Sequence, residues 1–301
     1  MELIRPVKMT PDMIVSTTAV NAEQEWASGD TYTKGERLIY NGNRGPSVYQ
    51  SAIDGNKDNP PDKSPDEWVR VGPTNQWALF DGSASTLSKS EDGFEISFIP
   101  GEMVDSLAFF EVKGTEITVS MTIDPDEEVV FERTISLLND AMIVDWYAYF
   151  FEPFDFIRDG LIKEIPPYGS TATIHVRIEG VGETGVGEIV IGTLTEIGET
   201  EHGASHGIRD YSRAKEDDFG NVHLQQGAWA KRADFSVFVD KARHRYVSRV
   251  LTELRSVPTV FIGSDDPDYE PLILFGFIKD WRNAVNYPTK SLINLDIQGL
   301  I

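Results

Sequence analysis

Short segments in which apolar and polar residues alternate with period two recur through the middle of the chain, and they constrain its fold more than any other feature. Stretches containing Gly and Pro separate them, and the clearest examples cover residues 94–99, 107–112, 116–123, 146–151, 173–178 and 188–192. Such alternation is typical of antiparallel strands that place one face on a core and the other in solvent. The pattern therefore predicts a β-sandwich or jelly-roll domain over residues 75–199.

Acidic side chains are concentrated in this predicted domain. It carries 24 Asp and Glu against 6 Lys and Arg, a net charge of −18 within a chain of net charge −22. A surface this acidic repels nucleic acid and anionic membranes, so we expect neither as a partner. Its simplest role is a solvated surface that keeps the protein in solution, and a cation-binding role is the alternative.

Two absences narrow the class of protein further. The chain has no cysteine, which excludes disulfides and thiolate metal sites. Its apolar runs are far shorter than the roughly twenty residues that cross a bilayer, and its first residues lack the continuous apolar region of a secretory signal. We therefore expect a protein made in the cytoplasm, without membrane insertion.

The stretch 21–73 has a different character, with an aromatic residue or a turn former every few positions and no helical period. Residues 37–40 and 47–51 are predicted to form two strands joined by a turn at 41–46. A segment this small cannot build a large aliphatic core, so aromatic side chains must supply most of its buried area. The sequence predicts a small aromatic-rich β module.

This stretch resembles the small chitin-binding (family 5/12) carbohydrate-binding modules. The positions that carry the resemblance are Trp26, Tyr32, Gly35, Glu36, Leu38, Tyr40, Tyr49, Gln50, Ser51, Pro60, Trp68 and Gly72. The resemblance implies carbohydrate binding by five aromatic residues, namely Trp26, Tyr32, Tyr40, Tyr49 and Trp68. The chain departs from the family at Ile53 and Asp54, where a solvent-facing Trp or Tyr is usual.

Each of these aromatic residues has two possible roles. Flat sugar faces stack on exposed rings, whereas a small module also needs rings for its own core. For Tyr40, Tyr49 and Trp68 we favour the core role. For Trp26 and Tyr32 the core and exposed roles are equally open.

The two ends of the chain are expected to fold differently. Residues 1–20 are read as an N-terminal arm with an edge strand near residues 13–15. Residues 200–301 are read as an α+β assembly domain with one main helix, N-capped by Asp240 and ended by Pro258. Its apolar helix face comprises Val247, Val250, Leu251 and Leu254, and its strands are predicted at 233–239, 259–262, 272–278 and 292–297.

Four motif-like strings fail the context that their chemistry requires. The Gly-x-Ser-x-Gly string around Ser205 lacks the flanking strand and helix of a nucleophile elbow, and the glycine-rich string 180–185 precedes a strand rather than a phosphate-binding helix. The string 54–58 lacks the later ligands of a calcium loop, and His202 and His206 lack an intervening Glu. The sequence predicts no enzyme, no cofactor and no metal site.

Residues 72–301 resemble a family of tailed-bacteriophage tail-tip or baseplate proteins. The segments that carry the resemblance are 72–81, 145–153, 187–192, 207–213, 217–221 and 276–280. The resemblance implies a structural virion protein of the tail tip, a homo-oligomeric ring that contacts other tail subunits, tail fibres or a host surface glycan. The alternative is a host-glycan receptor-binding protein in which the 21–73 module is the working site. A protein that helps degrade polysaccharide is a third reading.

Overall fold

The computed structural model describes residues 1–123, 128–139, 145–151, 154–168, 171–217, 219–264, 272–285 and 288–300. This part of the chain is mainly β, as predicted, with 52% of residues in strands and 8% in helices. No helix in these ranges is long and apolar enough to span a membrane.

Twenty-five strands are numbered here in chain order. They are β1 Glu2–Pro6, β2 Ile14–Thr17, β3 Gln24–Glu25, β4 Thr31–Tyr32, β5 Arg37–Gly42, β6 Gly45–Ser51, β7 Asn56–Lys57, β8 Trp68–Pro73, β9 Ser88–Ser90, β10 Phe94–Phe98, β11 Ser106–Phe110, β12 Glu116–Ile123, β13 Glu128–Ser136, β14 Gly160–Ile162, β15 Ala172–Glu179, β16 Thr184–Val186, β17 Glu188–Glu196, β18 Glu199–Thr200, β19 Ser205–Asp210, β20 Arg213–Glu216, β21 Val222–Gln225, β22 Trp229–Asp240, β23 Thr259–Ile262, β24 Ile273–Ala284 and β25 Lys290–Gly299. The two α-helices are α1 Trp146–Phe151 and α2 His244–Glu253, and short 3-10 turns lie at Pro11–Met13 and Ala78–Phe80.

The chain divides into two compact units. One combines Met1–Val7 with Val190–Ile301, and the other is Lys8–Ile189. The finer division expected from the sequence, with boundaries at 1–20, 21–73, 75–199 and 200–301, stays a prediction.

The unit Lys8–Ile189 contains an antiparallel five-stranded sheet in the order β13-β12-β15-β10-β2. Its period-two segments bury one face, because Ile117, Val119 and Met121 of β12 lie opposite Ile178, Val176 and Ile174 of β15. This is the alternation that the sequence predicted. Strand β2 pairs with β10 at the edge of the sheet, which confirms the edge strand expected near residues 13–15.

Residues 24–73 form a small four-stranded sheet in the order β3-β5-β6-β8, beside the short pair β4-β7. Strands β5 and β6 form the expected hairpin, but their pairing continues to Gly42 opposite Gly45 and leaves a turn shorter than 41–46. Gly45 has a φ of 79°, and a Cβ there would lie 2.3 Å from Nε1 of Trp77. Only glycine fits this turn without strain.

The unit of Met1–Val7 and Val190–Ile301 is built on antiparallel strands in the order β17-β1-β23-β24-β25-β22-β18, with β19 also paired to β22. Its core includes the predicted helix face, Val247, Val250, Leu251 and Leu254. This face packs with residues of the sheet such as Phe235. Helix α2 and the sheet therefore form the expected α+β arrangement with one main helix.

Two local predictions were wrong. Residues 146–151 were expected to form a strand but form helix α1, in which rings four residues apart meet, Trp146 with Phe150 at 6.1 Å and Tyr147 with Phe151 at 5.1 Å. An almost wholly aromatic run has no polar positions that could distinguish period two from 3.6. Asp240 does not cap helix α2, because it lies opposite Lys290 in the sheet and Arg243 takes the N-cap position. Glu152, Pro153 and Asp218, which contributed to the tail-protein resemblance, lie outside the described residues.

Candidate functional site

The five aromatic residues predicted as carbohydrate contacts surround one small core in the module. Tyr32 and Trp68 are buried at its centre with Leu38, and the other three, Trp26, Tyr40 and Tyr49, pack against them. The hairpin register explains the grouping, because Leu38 of β5 lies opposite Tyr49 of β6 and both side chains take the same face of the sheet.

Tyr32 and Trp68 belong to the core, and their polar atoms are used within it. The Tyr32 hydroxyl donates to the carbonyl of Ala27 at 3.2 Å and accepts from its N–H at 2.8 Å. The Trp68 indole donates to the carbonyl of Asn59 at 2.8 Å, and the two rings meet edge to face at 5.4 Å. Of the two roles left open for Tyr32, the structure gives the core role.

The other three aromatic residues form a half-exposed chain of rings. Trp26 meets Tyr40 edge to face at 5.6 Å, and Tyr40 meets Tyr49 in the same manner at 6.2 Å. Each ring therefore holds its neighbour, which lowers the entropy that a ligand would have to remove on binding. We call Trp26, Tyr40 and Tyr49 the ring chain.

Polar groups lie beside the ring chain. A Cβ on Gly42 would lie 3.6 Å from Tyr40, 3.7 Å from the Tyr49 hydroxyl and 3.8 Å from Asp62, so these side chains converge around the bare glycine. Partial burial and a hydrogen bond to Asp62 raise the pKa of Tyr40 above its usual value. A carboxylate beside aromatic rings is the combination that sugar sites use.

Ile53 and Asp54 are the two positions at which the sequence departs from the carbohydrate-binding pattern. Ile53 is exposed, and Asp54 accepts a hydrogen bond from the backbone N–H of Lys34 at 2.9 Å. Asp54 thus fixes the loop before β5 rather than presenting a flat surface. The half-exposed aromatic rings of this module are those of the ring chain.

Sequence reasoning missed a buried pair of carboxyl groups. Glu188 is 6% exposed and accepts from the N–H of Gly82 at 3.1 Å, while the neighbouring Asp81 accepts from the N–H of Ser83 at 2.8 Å. Burial, reinforced by the charge of Asp81, raises the pKa of Glu188 to about 9. Burial also raises the pKa of Asp81. The one sequence signal was the position of Glu188 at the start of an apolar strand.

A row of three aspartates crosses the sheet of the other unit. Asp296 of β25 lies opposite Asp234 of β22 on one side and Asp280 of β24 on the other. Arg232 pairs with Asp234 at 3.1 Å and with Asp296 at 3.3 Å, and Lys279 pairs with Asp296 at 3.3 Å. These cations offset the repulsion between carboxylates on adjacent strands. The row lines an open cavity of about 310 Å³.

Two of the motif-like strings lie on strands. Ser205 begins the exposed strand β19 and donates to Asp234 at 3.3 Å, and the string 180–185 runs into strand β16. Within the described ranges, no three His, Asp or Glu side chains form a group that could hold a metal ion. No protein-family model matches the chain, and no curated protein matches it.

Proposed function

We propose that this protein is a structural component of a phage tail tip or baseplate, assembling into a symmetric ring and displaying the 21–73 module as a carbohydrate contact. The resemblance of residues 72–301 to tail proteins supports the structural part. A mainly β architecture without cysteine suits assembly in a reducing cytoplasm. Other tail subunits and tail fibres are the proposed partners, and the virion tail tip is the proposed location.

The observation that carries the carbohydrate part is the ring chain with its adjacent carboxylate. Trp26, Tyr40 and Tyr49 offer half-exposed rings for the C–H face of a sugar, and Asp62 offers an acceptor for its hydroxyl groups. A single module of this size makes a weak contact. Repetition around a ring axis would strengthen that contact by multivalency.

Glycan binding by the whole chain tests this part. We expect the wild-type protein to bind on an array of chitin-type oligosaccharides and bacterial surface glycans. The Trp26→Ala variant should bind about thirtyfold more weakly, which corresponds to about 2 kcal/mol. Val181→Ala is the matched control, because Val181 is 98% exposed and far from the module in sequence. Absence of binding by well-folded wild-type protein would show that the module is not a glycan contact.

Particle imaging tests the structural part separately. Negative-stain images of the purified chain should show closed rings, and labelling with an antibody should place the protein at the tail tip of a virion. A strictly monomeric species at high concentration, alone and with tail extract, would contradict the ring.

The ring chain also supports a second candidate, a host-glycan receptor-binding protein whose working site is the module. Virions carrying Trp26→Ala separate the two roles. Under the structural proposal they assemble and keep most of their adsorption to the host, because the module then only assists attachment. Under the receptor proposal they assemble normally and lose adsorption.

A further inference from the structure

Asp62 is a carboxylate beside the ring chain that forms no ion pair with any described residue. Its side chain is exposed, and the Tyr40 hydroxyl is hydrogen-bonded to it. Two basic residues lie near it in the chain, Lys63 next to it and Arg44 in the turn between β5 and β6, and neither pairs with it. The module thus presents an unpaired carboxylate beside aromatic rings.

A small open space lies above Gly42, between the rings and Asp62. A Cβ at this position would lie 3.6 Å from Tyr40, 3.7 Å from the Tyr49 hydroxyl and 3.8 Å from Asp62, which are ordinary van der Waals distances. Backbone geometry does not require glycine here, because Gly42 has no positive φ, unlike Gly45. The space therefore admits one group of about the size of a methyl. We call it the notch.

The rings beside the notch favour a cation over a neutral group. Tyr40 stands at 87° to Tyr49 and at 84° to Trp26, so the three rings present surfaces in different directions around Tyr40. The face of an aromatic ring attracts a cation through the charge distribution of the ring. Rings and a carboxylate together are a combination that binds ammonium groups in proteins.

The size and polarity of the notch select among cations. A protonated primary amine is about as large as a methyl group and donates three hydrogen bonds. The Asp62 carboxylate and the Tyr49 hydroxyl offer acceptors at the rim of the notch. A trimethylammonium group has no N–H donor and carries three methyl groups, which exceed the space above Gly42. A primary amine therefore fits best.

The overall charge of the module favours the same class of ligand. Residues 21–73 carry six Lys and Arg against nine Asp and Glu, a net charge of −3. A glycan with protonated amines is attracted to such a surface, whereas an anionic glycan is repelled.

We propose that the ring chain and Asp62 select glycans that carry a free primary amine, with the ammonium group in the notch and the sugar ring against Trp26 and Tyr40. The inference rests on the carbohydrate contact proposed above and names the class of sugar that it takes. Asp62 is then the residue that determines specificity, because it separates a charged amino sugar from its neutral N-acetylated form.

Two short oligosaccharides of equal length give the first test, a chitin oligosaccharide and the same chain after deacetylation. Calorimetric titration of the full-length protein is carried out at a slightly acidic pH that keeps the amines protonated. The wild type should bind the deacetylated chain about tenfold more tightly than the acetylated chain. The variant Asp62→Asn should lose this preference and bind the acetylated chain as the wild type does.

Asp66→Asn is the matched control. Asp66 is exposed, belongs to the same module and forms no ion pair with any described residue. Its substitution removes the same charge without touching the ring chain, so the preference for the deacetylated chain should remain. This control separates a contact at Asp62 from general attraction of a polycation to an acidic protein.

Filling the notch gives a second, independent test. Gly42→Ala places a methyl group there at van der Waals distances and without backbone strain, so the fold is retained, as circular dichroism would verify. Binding of the deacetylated chain should weaken about tenfold, and binding of the acetylated chain should not change. A trimethylated derivative should bind the wild type no more tightly than the acetylated chain. Tighter binding would show that the ring faces, and not the notch, hold the cation.

The outcomes separate this inference from the carbohydrate contact itself. Equal binding of the two oligosaccharides by the wild type would overturn the inference while the carbohydrate contact stands. A preference that survives Asp62→Asn, or that Asp66→Asn removes equally, would show general attraction to the acidic chain and would also overturn it. If the wild type binds neither oligosaccharide and no other glycan, the carbohydrate contact and this inference fail together.

Discussion

Glu188 is held in its protonated form by its surroundings, because burial and the charge of Asp81 raise its pKa to about 9. An unfolded chain loses this proton near the ordinary value of 4.5. Between these two pH values the folded state binds more protons than the unfolded state. Folding stability therefore falls as pH rises through this window, by at most about 1.4 kcal/mol per pH unit.

The variant Glu188→Gln should remove this dependence, since an amide keeps the acceptor for Gly82 and never ionises. We expect urea midpoints of variant and wild type to agree near pH 5 and to separate towards pH 8, with the variant more stable. Glu102→Gln, at an exposed position, serves as the control and should follow the wild type. Parallel curves for Glu188→Gln and wild type would show that the carboxyl group ionises freely.

At the same scale, the sequence predicted which aromatic residues gather in the module but not which of them are covered. Spacing places Trp26, Tyr40 and Trp68 in one cluster, whereas exposure depends on the loops that close over each ring. The buried pair of Asp81 and Glu188 could not be predicted from the sequence, for another reason. Glu188 accepts a hydrogen bond from the N–H of Gly82, a residue 106 positions away in the chain. A single sequence does not reveal such long-range contacts.

Among the elements, the β5–β6 hairpin depends on one residue. A Cβ on Gly45 would meet the indole of Trp77 at 2.3 Å and would sit at a positive φ. Gly45→Ala should therefore lower the free energy of unfolding of the module by about 2–3 kcal/mol, through backbone strain and overpacking together. Gly35 has a similar φ of 89°, and a Cβ there would meet nothing within 4 Å. Gly35→Ala should therefore lower the free energy of unfolding by about 1 kcal/mol through backbone strain alone. Urea titration followed by tryptophan fluorescence would compare the two variants. Equal losses of unfolding free energy would contradict the predicted clash between residue 45 and Trp77.

Prediction of the elements succeeded where the hydrophobic period was unambiguous. Strands β12 and β15 alternate cleanly, and the face of α2 that contains Val247 and Leu251 has helical spacing. It failed at α1, where consecutive aromatic residues fit either period. It also missed strands β19 to β21, because these strands are short and their few apolar residues are too sparse to set a clear period.

At the scale of the whole molecule, the first strand joins the last third of the chain. Strand β1 lies between β17 and β23, and Leu3 and Ile4 are fully buried there. Each of the substitutions Leu3→Ala and Ile4→Ala should cost about 2–5 kcal/mol. Hydrogen exchange should then accelerate in β17 and β23 far more than in the hairpin β5–β6.

The control for this prediction is Val15→Ala in β2, where the side chain is exposed and the substitution should change exchange little. Equal acceleration in β17, β23 and the β5–β6 hairpin would show that the chain unfolds as a single cooperative block. Acceleration confined to β17 and β23 would show that Met1–Val7 and Val190–Ile301 unfold as a unit.

The place of β1 also has a consequence for biosynthesis. Glu2 pairs with Glu196 and Ile262, residues that leave the ribosome long after it. At a translation speed of about 5–20 residues per second, the nascent strand waits on the order of 10–50 seconds for its neighbours. Throughout that interval its two aliphatic side chains, Leu3 and Ile4, are open to chaperones or to premature association with other nascent chains. Folding of this unit therefore waits until β17 and β23 have been synthesised, and its yield depends on what shields β1 during that interval.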